Sequence, residues 1–185
     1  KKKKYQKFFN LCSKLMLQIV EGRKPVIAKV HGSAYAAGCQ LVASCDLAVA
    51  SQEAHFATPG VNIGLFCSTP MVAVSRNLGR KQTMEMLLTG DMIDARAAVA
   101  GGLVNRAVPK DELDGTVETY CRQIASKSPL TLKIGKEAFY RQLEMPLENA
   151  YDYASEVMVT NMLARDAEEG IDAFLEKRPP QWTGE

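Results

Sequence analysis

Histidine is scarce in this chain of 185 residues. There are two, His31 and His55, and neither has a second histidine or a cysteine at helical or turn spacing, which argues against a structural zinc site. The five cysteines (Cys12, Cys39, Cys45, Cys67 and Cys121) are odd in number and include no C-x-x-C pair. That usage fits a reduced, intracellular protein better than a disulfide framework. No apolar run approaches the roughly 18 residues a membrane span requires. Tyr5 to Val20 is broken by Gln6, Lys7, Asn10 and Lys14, so a signal-peptide core is lacking too. Charge of one sign is also in short supply: 23 basic residues face 21 acidic ones, and Lys1 to Lys4 account for four of the basic set. The body is near neutral and carries no pervasive basic field for nucleic acid, and the lysine run reads as a solvated terminus. The first residue is Lys rather than Met, so an upstream segment is expected. No internal repeat is visible, and no low-complexity stretch follows the lysines.

Apolar residues make up 46% of the chain and charged residues 24%, an ordinary globular balance. At this length about 70% of the extended surface can be hidden, so a core needs no staple. Tyr5, Phe8, Phe9, Cys12, Leu15, Met16, Ile19 and Val20 recur at three- and four-residue steps and predict a helix that Gly22 and Pro25 stop. Val26 to Val30 reads as a buried strand, Leu47 to Ala50 as a second and Ala54 to Ala57 as a weaker third. Thr58 to Pro70 reads as a loop, and a helix is expected from there to Leu78. Another helix is expected over Lys81 to Leu88, and a third over Ala95 to Ala100, capped by Asp94 and stopped by Gly101-Gly102. Leu103 to Val108 is the last strand candidate. Beyond Pro109 the pattern is helical, divided at Ser128-Pro129, Pro146 and Arg165 and closed by Pro179-Pro180. Strand–helix alternation followed by a helical tail predicts an α/β layer with an added helical region, bounded as 1–108 and 109–185.

The segment from Lys24 to Asp46 carries the most chemical information. A strand enters a turn of small residues, Ser33, Ala34, Ala36, Ala37 and Gly38, which opens directly into a helix. First-turn N–H groups have no partner inside a helix and sit at the positive end of its dipole. With small side chains around them they can meet an anion or a polarised carbonyl oxygen. Tight helix–strand packing uses the same residues and is the more common use of them, so both readings stand at this point.

Four ordered motifs resemble the crotonase, or enoyl-CoA hydratase/isomerase, superfamily. They are Lys24-Pro25-Val26-Ile27-Ala28 with His31-Gly32; Gly38-Cys39-Gln40-Leu41 with Cys45-Asp46; Leu88-Thr89-Gly90 with Ala95, Ala98 and Gly102-Leu103-Val104; and Gly170, Phe174 and Glu176-Lys177-Arg178. The resemblance covers Lys24 to Arg178. It implies a spiral of ββα units whose early strands are not in this chain, followed by a helical trimerisation region. It implies an acyl-CoA thioester as ligand, with coenzyme A a part of that ligand and no separate cofactor or metal. Two peptide N–H groups would grip the thioester oxygen. Ala37 matches the second, and the first lies in an upstream segment outside this chain. Ala36, Gly38, Cys67 and Ser68 would line the substrate site. Phe174 and Lys177, three apart on one helix, match positions that contact the adenine and phosphates of coenzyme A. On spacing alone they also suit an ordinary amphipathic helix. Trimers, or pairs of trimers, are implied as well, and Leu143, Leu147, Ala150, Tyr151 and Ala154 suit burial in an assembly or within the chain.

The departures bear on catalysis. The positions of the family's two glutamates, which hold a water and move its proton, are occupied by Gln40 and Gly60. A glutamine orients water but accepts no proton at neutral pH, and glycine has no side chain. Losing a general acid or base costs about 10²–10⁴-fold, so hydration by the usual route is expected to be lost. Asp46, His55, Cys67 and Ser68 are the nearby groups that could substitute. Asp46 reads as a turn residue and His55 as part of a strand, and no base pairs visibly with Cys67 or Ser68. Three readings follow: a non-catalytic acyl-CoA-binding protein of lipid metabolism, an active hydratase/isomerase-type enzyme using other acid–base groups, or a scaffold without ligand. A bacterial cytoplasm and a mitochondrial matrix suit the cysteines equally.

Overall fold

Short runs of β-branched and small apolar residues make the strands, and Gly and Pro set their limits. The computed structural model describes residues 1–185, which divide into two units. The first comprises Lys1–Val20 and Val26–Thr119, the second Glu21–Pro25 and Tyr120–Glu185.

In the first unit, α1 (Lys2–Val20) runs as its apolar spacing predicts and lies against α2 (Ala37–Ser44). It buries none of its residues completely, and Tyr5, Phe8, Leu11, Leu15 and Leu17 remain exposed. Strands β1 (Ile27–Val30), β3 (Leu47–Ser51) and β6 (Arg106–Val108) form a parallel sheet in the order β1-β3-β6. Ile27 stands opposite Leu47, and Val49 opposite Arg106. A second sheet has the order β2-β4-β5, with β2 (Ala34–Tyr35), β4 (His55–Ala57) and β5 (Met92–Asp94). Ala34 pairs in parallel with Phe56, and His55 lies antiparallel to Asp94. Val30, Cys39, Ala50, Phe56, Val74, Leu78 and Met86 are among the core residues on which α2, α3 (Pro70–Val74), α4 (Arg80–Thr89) and α5 (Ala95–Gly101) pack. Asp94 caps α5 by accepting the Ala97 N–H at 2.7 Å, and Gly102 ends it with φ 90°, a conformation that a β-carbon disfavours.

Several boundaries differ from those the sequence predicts. The segment before β6 is not strand, because Leu103 and Val104 turn their N–H groups back to Ala98 O and finish α5 instead. The Asn105 side chain then accepts from Ala48 N at 2.7 Å, leading the chain into the ladder. The helix after Pro70 ends at Val74, and turns carry the chain on to Leu78. The Thr58–Pro70 loop contains a 3₁₀ turn, Pro59–Ile63. Strands β2 and β5 have two and three residues, too short for an alternating pattern to announce them.

The second unit is helical: α6 (Leu113–Ala125), which begins in the first unit, then α7 (Pro129–Gln142), α8 (Leu147–Met162) and α9 (Arg165–Glu176). Ser128 caps α7 through Thr131 N and donates to Asp166 Oδ2 at 2.5 Å. Asp166 also accepts from the N–H groups of Thr183 and Gly184, which ties down the C-terminal tail. Of the stripe Leu143, Leu147, Ala150, Tyr151 and Ala154, Ala150 is buried, whereas Leu143, Leu147 and Tyr151 are largely exposed. No helix is long and apolar enough to cross a membrane.

Candidate functional site

The small-residue turn takes a specific shape. Ala36 adopts φ 48°, ψ −112°, a strained conformation for any residue with a β-carbon, and it immediately precedes α2. Its N–H donates to Ala57 O at 2.9 Å, which fastens the turn to the end of β4, and its carbonyl accepts Gln40 N at 3.0 Å. No side chain caps α2, so nothing on the chain competes for the first-turn amides, and Ala37 is exposed. The Ala37 N–H thus lies in the first turn, at the positive end of the helix, without a side-chain cap. Packing does not account for the smallness of Gly38. A β-carbon there would lie 4.0 Å from Ala34 Cβ, an ordinary contact.

Gln40 lies three residues into α2 and is 5% exposed. Its side-chain amide can both donate and accept hydrogen bonds but does not take up or release a proton as an acid or base at neutral pH. At Gly60 there is no room for a side chain. Gly60 sits in the 3₁₀ turn, where a β-carbon would come within 2.7 Å of Leu65 O and 2.9 Å of Cys67 Sγ. The loop beyond it fills the space a longer side chain would need. Cys67 is buried and Ser68 exposed, with the Ser68 hydroxyl donating to Phe66 O at 3.3 Å. Burial, reinforced by the Cys67 thiol, pushes the Cys39 thiol up to about 12, so Cys39 is no nucleophile at neutral pH.

Two of the groups that could substitute lie in the framework around the turn. Asp46 Oδ2 accepts Val26 N at 2.6 Å, and its own N–H donates to Val26 O, which joins the end of α2 to the start of β1. His55 is a ladder residue opposite Asp94. The fold thus gathers Ala36, Ala37, Gly38 and Gln40 at one turn and Gly60, Cys67 and Ser68 on one loop, within the first unit. Phe174 and Lys177 belong to the second unit, at the end of α9, where both are exposed and Lys177 has φ 56°. Ala36 and Lys177 are the two non-glycine residues of the chain with positive φ.

Sequence reasoning missed Thr58. Its hydroxyl, one residue past the Ala57 carbonyl that holds the turn, is fully buried without a hydrogen-bond partner. No pattern in the sequence marks such a group. It missed the ion-pair cluster around Arg178 as well, although the Glu-Lys-Arg run was a visible signal.

A family model described as enoyl-CoA hydratase/isomerase matches residues 1–185. The chain is 52% identical over 177 residues to the mitochondrial enoyl-CoA hydratase domain-containing protein 3 of Homo sapiens, covering 96% of this chain and 58% of that protein. Among solved structures, an enoyl-CoA hydratase of Mycobacterium smegmatis superposes with a TM-score of 0.96 at 50% identity, covering 98% of this chain and 71% of that one. The structure of the human domain-containing protein 3 gives 0.94 at 51% identity, covering 96% and 70%. The chain thus spans 58% of the human curated relative's length.

Proposed function

The chain belongs to the enoyl-CoA hydratase/isomerase family, and from that premise we propose that it binds an acyl-CoA thioester without hydrating it by the carboxylate route. The carrying observation is the turn at Ala36–Ala37: a strained, anchored bend that puts an exposed residue with no side-chain cap at a helix start. A thioester oxygen accepting the Ala37 N–H would gain the helix's positive end, and more so as negative charge develops on it. Removing one such donor typically costs about 10²–10³-fold in rate, which indicates how much one amide can contribute. Ala36 and Gly38 let the thioester approach the backbone. Cys67 and Ser68 flank the acyl group, and the exposed Ile63, Leu65 and Phe66 of the same loop offer it apolar surface.

Proton transfer is what the site lacks. Gln40 can hold a water or an acyl oxygen in place, and Gly60 supplies nothing beyond a close approach for the loop. Binding without hydration is favoured over an enzyme with substitute groups, because Asp46 accepts the Val26 N–H, the Ser68 hydroxyl donates to Phe66 O and Cys39, beside Cys67, is held protonated. Phe174 and Lys177 would take the adenine and phosphates of coenzyme A. A homo-oligomer would cover Leu143, Leu147 and Tyr151. An intracellular role in lipid metabolism, mitochondrial or in a bacterial cytoplasm, follows from the same reading.

The test titrates the purified protein with acetyl-CoA and a long-chain acyl-CoA and assays crotonyl-CoA hydration in parallel. Saturable binding with negligible turnover is expected. Turnover in the usual enzymatic range, about 1–10³ s⁻¹, refutes the loss of proton transfer, and absence of binding refutes the ligand class.

A further inference from the structure

Lys177 caps α9 in the left-handed conformation, φ 56° and ψ 38°, at a position where glycine is the usual occupant. Its N–H donates to Phe174 O, and the next N–H, of Arg178, reaches back to Ala173 O at 3.0 Å. These bonds satisfy the helix end whichever residue stands there, so the helix itself gives no reason for a β-carbon at 177.

The residues on either side of Lys177 are held. Arg178 grips Glu169 with both guanidinium nitrogens, Nη1 to Oε1 at 2.6 Å and Nη2 to Oε2 at 3.0 Å, and its Nε donates to Glu176 Oε2 at 2.5 Å. Glu169 Oε1 also accepts Gln181 N at 2.7 Å, so one carboxylate fastens the helix end to the tail that follows. Lys177 makes no ion pair, while its neighbour Arg178 takes two carboxylates. Three residues earlier, Phe174 is 82% exposed. A strained cation without a carboxylate partner, next to an exposed ring and a rigid fork, is arranged for an anion from outside the chain.

We propose that Arg178, Glu169 and Glu176 form a clamp that holds α9's left-handed end in shape, so that Lys177 beside Phe174 is preorganised for the phosphates of the coenzyme A portion. Arg178 and Glu169 are positioning residues in this assignment, which rests on the acyl-CoA reading above. The Arg178 guanidinium and then the Gln181 amide hold the Glu169 carboxyl down to about 2, so the clamp stays ionised at working pH.

Calorimetric titration with acetyl-CoA and with acetyl-pantetheine, which lacks the nucleotide and its phosphates, separates the outcomes. The wild type is expected to favour acetyl-CoA. Lys177→Gly should reduce that preference about three- to tenfold, as for a partly exposed ion pair, with an unchanged or higher melting temperature because the strain is relieved. Glu169→Gln, and Arg178→Lys, which keeps the charge but loses the fork, should reduce the preference similarly and leave acetyl-pantetheine binding intact. In a Lys177→Gly background Glu169→Gln should have no further effect on preference. A clamp that only stabilises the fold would lower the melting temperature and leave the preference untouched, which overturns the assignment. So does full preference in Lys177→Gly. A wild type that binds neither thioester overturns the acyl-CoA reading itself, and the clamp's role with it.

Discussion

Adding one methyl group at position 60 tests whether the loop around Gly60 has room for any side chain. At a helical or turn glycine with ordinary negative φ, Gly→Ala stabilises by about 0.4–1 kcal/mol through the unfolded chain. Gly60 has no positive φ, so its backbone imposes no penalty of its own. The new carbon, however, would meet Leu65 O at 2.7 Å, Cys67 Sγ at 2.9 Å and Cys67 N at 3.4 Å. The thiol can turn aside, but the carbonyl cannot, because Leu65 N donates to Gly60 O at 2.9 Å and binds the same two residues together. Overpacking of this kind costs about 1–3 kcal/mol, which exceeds the entropic gain. Gly60→Ala should therefore destabilise by about 1–2 kcal/mol net, or about 2–8 °C in a thermal melt for a chain of this size. Gly60→Glu should fare no better, and pairing it with Gln40→Glu should not install hydration, since the loop occupies the carboxylate's place. A melting temperature that rises in Gly60→Ala would refute the steric argument, and crotonyl-CoA hydration by the double variant would refute its functional corollary.

Two further outcomes rest on buried and ionised groups. Thr58→Val keeps the shape of the side chain and removes a fully buried hydroxyl without a partner, whose burial costs about 1–3 kcal/mol. The melting temperature should rise by a few degrees, and a fall would mean that the hydroxyl is satisfied in solution. In acid, the tail attached to α9 should loosen in a defined window. The Glu169 carboxyl titrates at about 2 in the folded protein against an ordinary value of 4.5, and Asp166 is likewise lowered, first by the Ser128 hydroxyl. The unfolded chain takes up these protons first, so the clamp's contribution is whole above about 4.5, declines below it and is gone once pH passes about 2. Trp182, the sole tryptophan, donates its indole N–H to Ser126 O at 2.8 Å and packs over Gly170, so its fluorescence reports the change. A transition completed above pH 4.5, or one unaltered in Glu169→Gln, would assign the tail's stability to other groups.

The parts of the fold that were legible in the sequence are those with enough residues to show a period or a strong stop signal. Helix α1 followed from eight apolar positions, α5 from Asp94 and a glycine pair, and the last four helices from Pro129, Pro146 and the break before Arg165. What escaped was short or tertiary. Strands of two and three residues have no measurable alternation. Leu103 and Val104 look like the start of a strand because they are apolar and buried, but their amides are claimed by the end of α5. Burial explains their composition, and hydrogen bonding decides their conformation.

The candidate site divides along the same line. Identity at each position could be read directly, and so could its consequence for acid–base chemistry: a glutamine and a glycine cannot carry protons whatever surrounds them. Conformation could not. Alanine at 36 gives no hint of a positive φ, since a turn of that shape ordinarily selects glycine, and lysine at 177 gives none either. Each residue sits in a conformation its own chemistry resists, with bonds made on either side of it: the Ala36 N–H to the Ala57 carbonyl, and the Lys177 and Arg178 N–H groups to the Phe174 and Ala173 carbonyls, with Arg178 tied to Glu169. Local preference is thus overridden at two non-glycine positions by hydrogen bonds set elsewhere in the fold, which no reading of the residue types at 36 and 177 could supply.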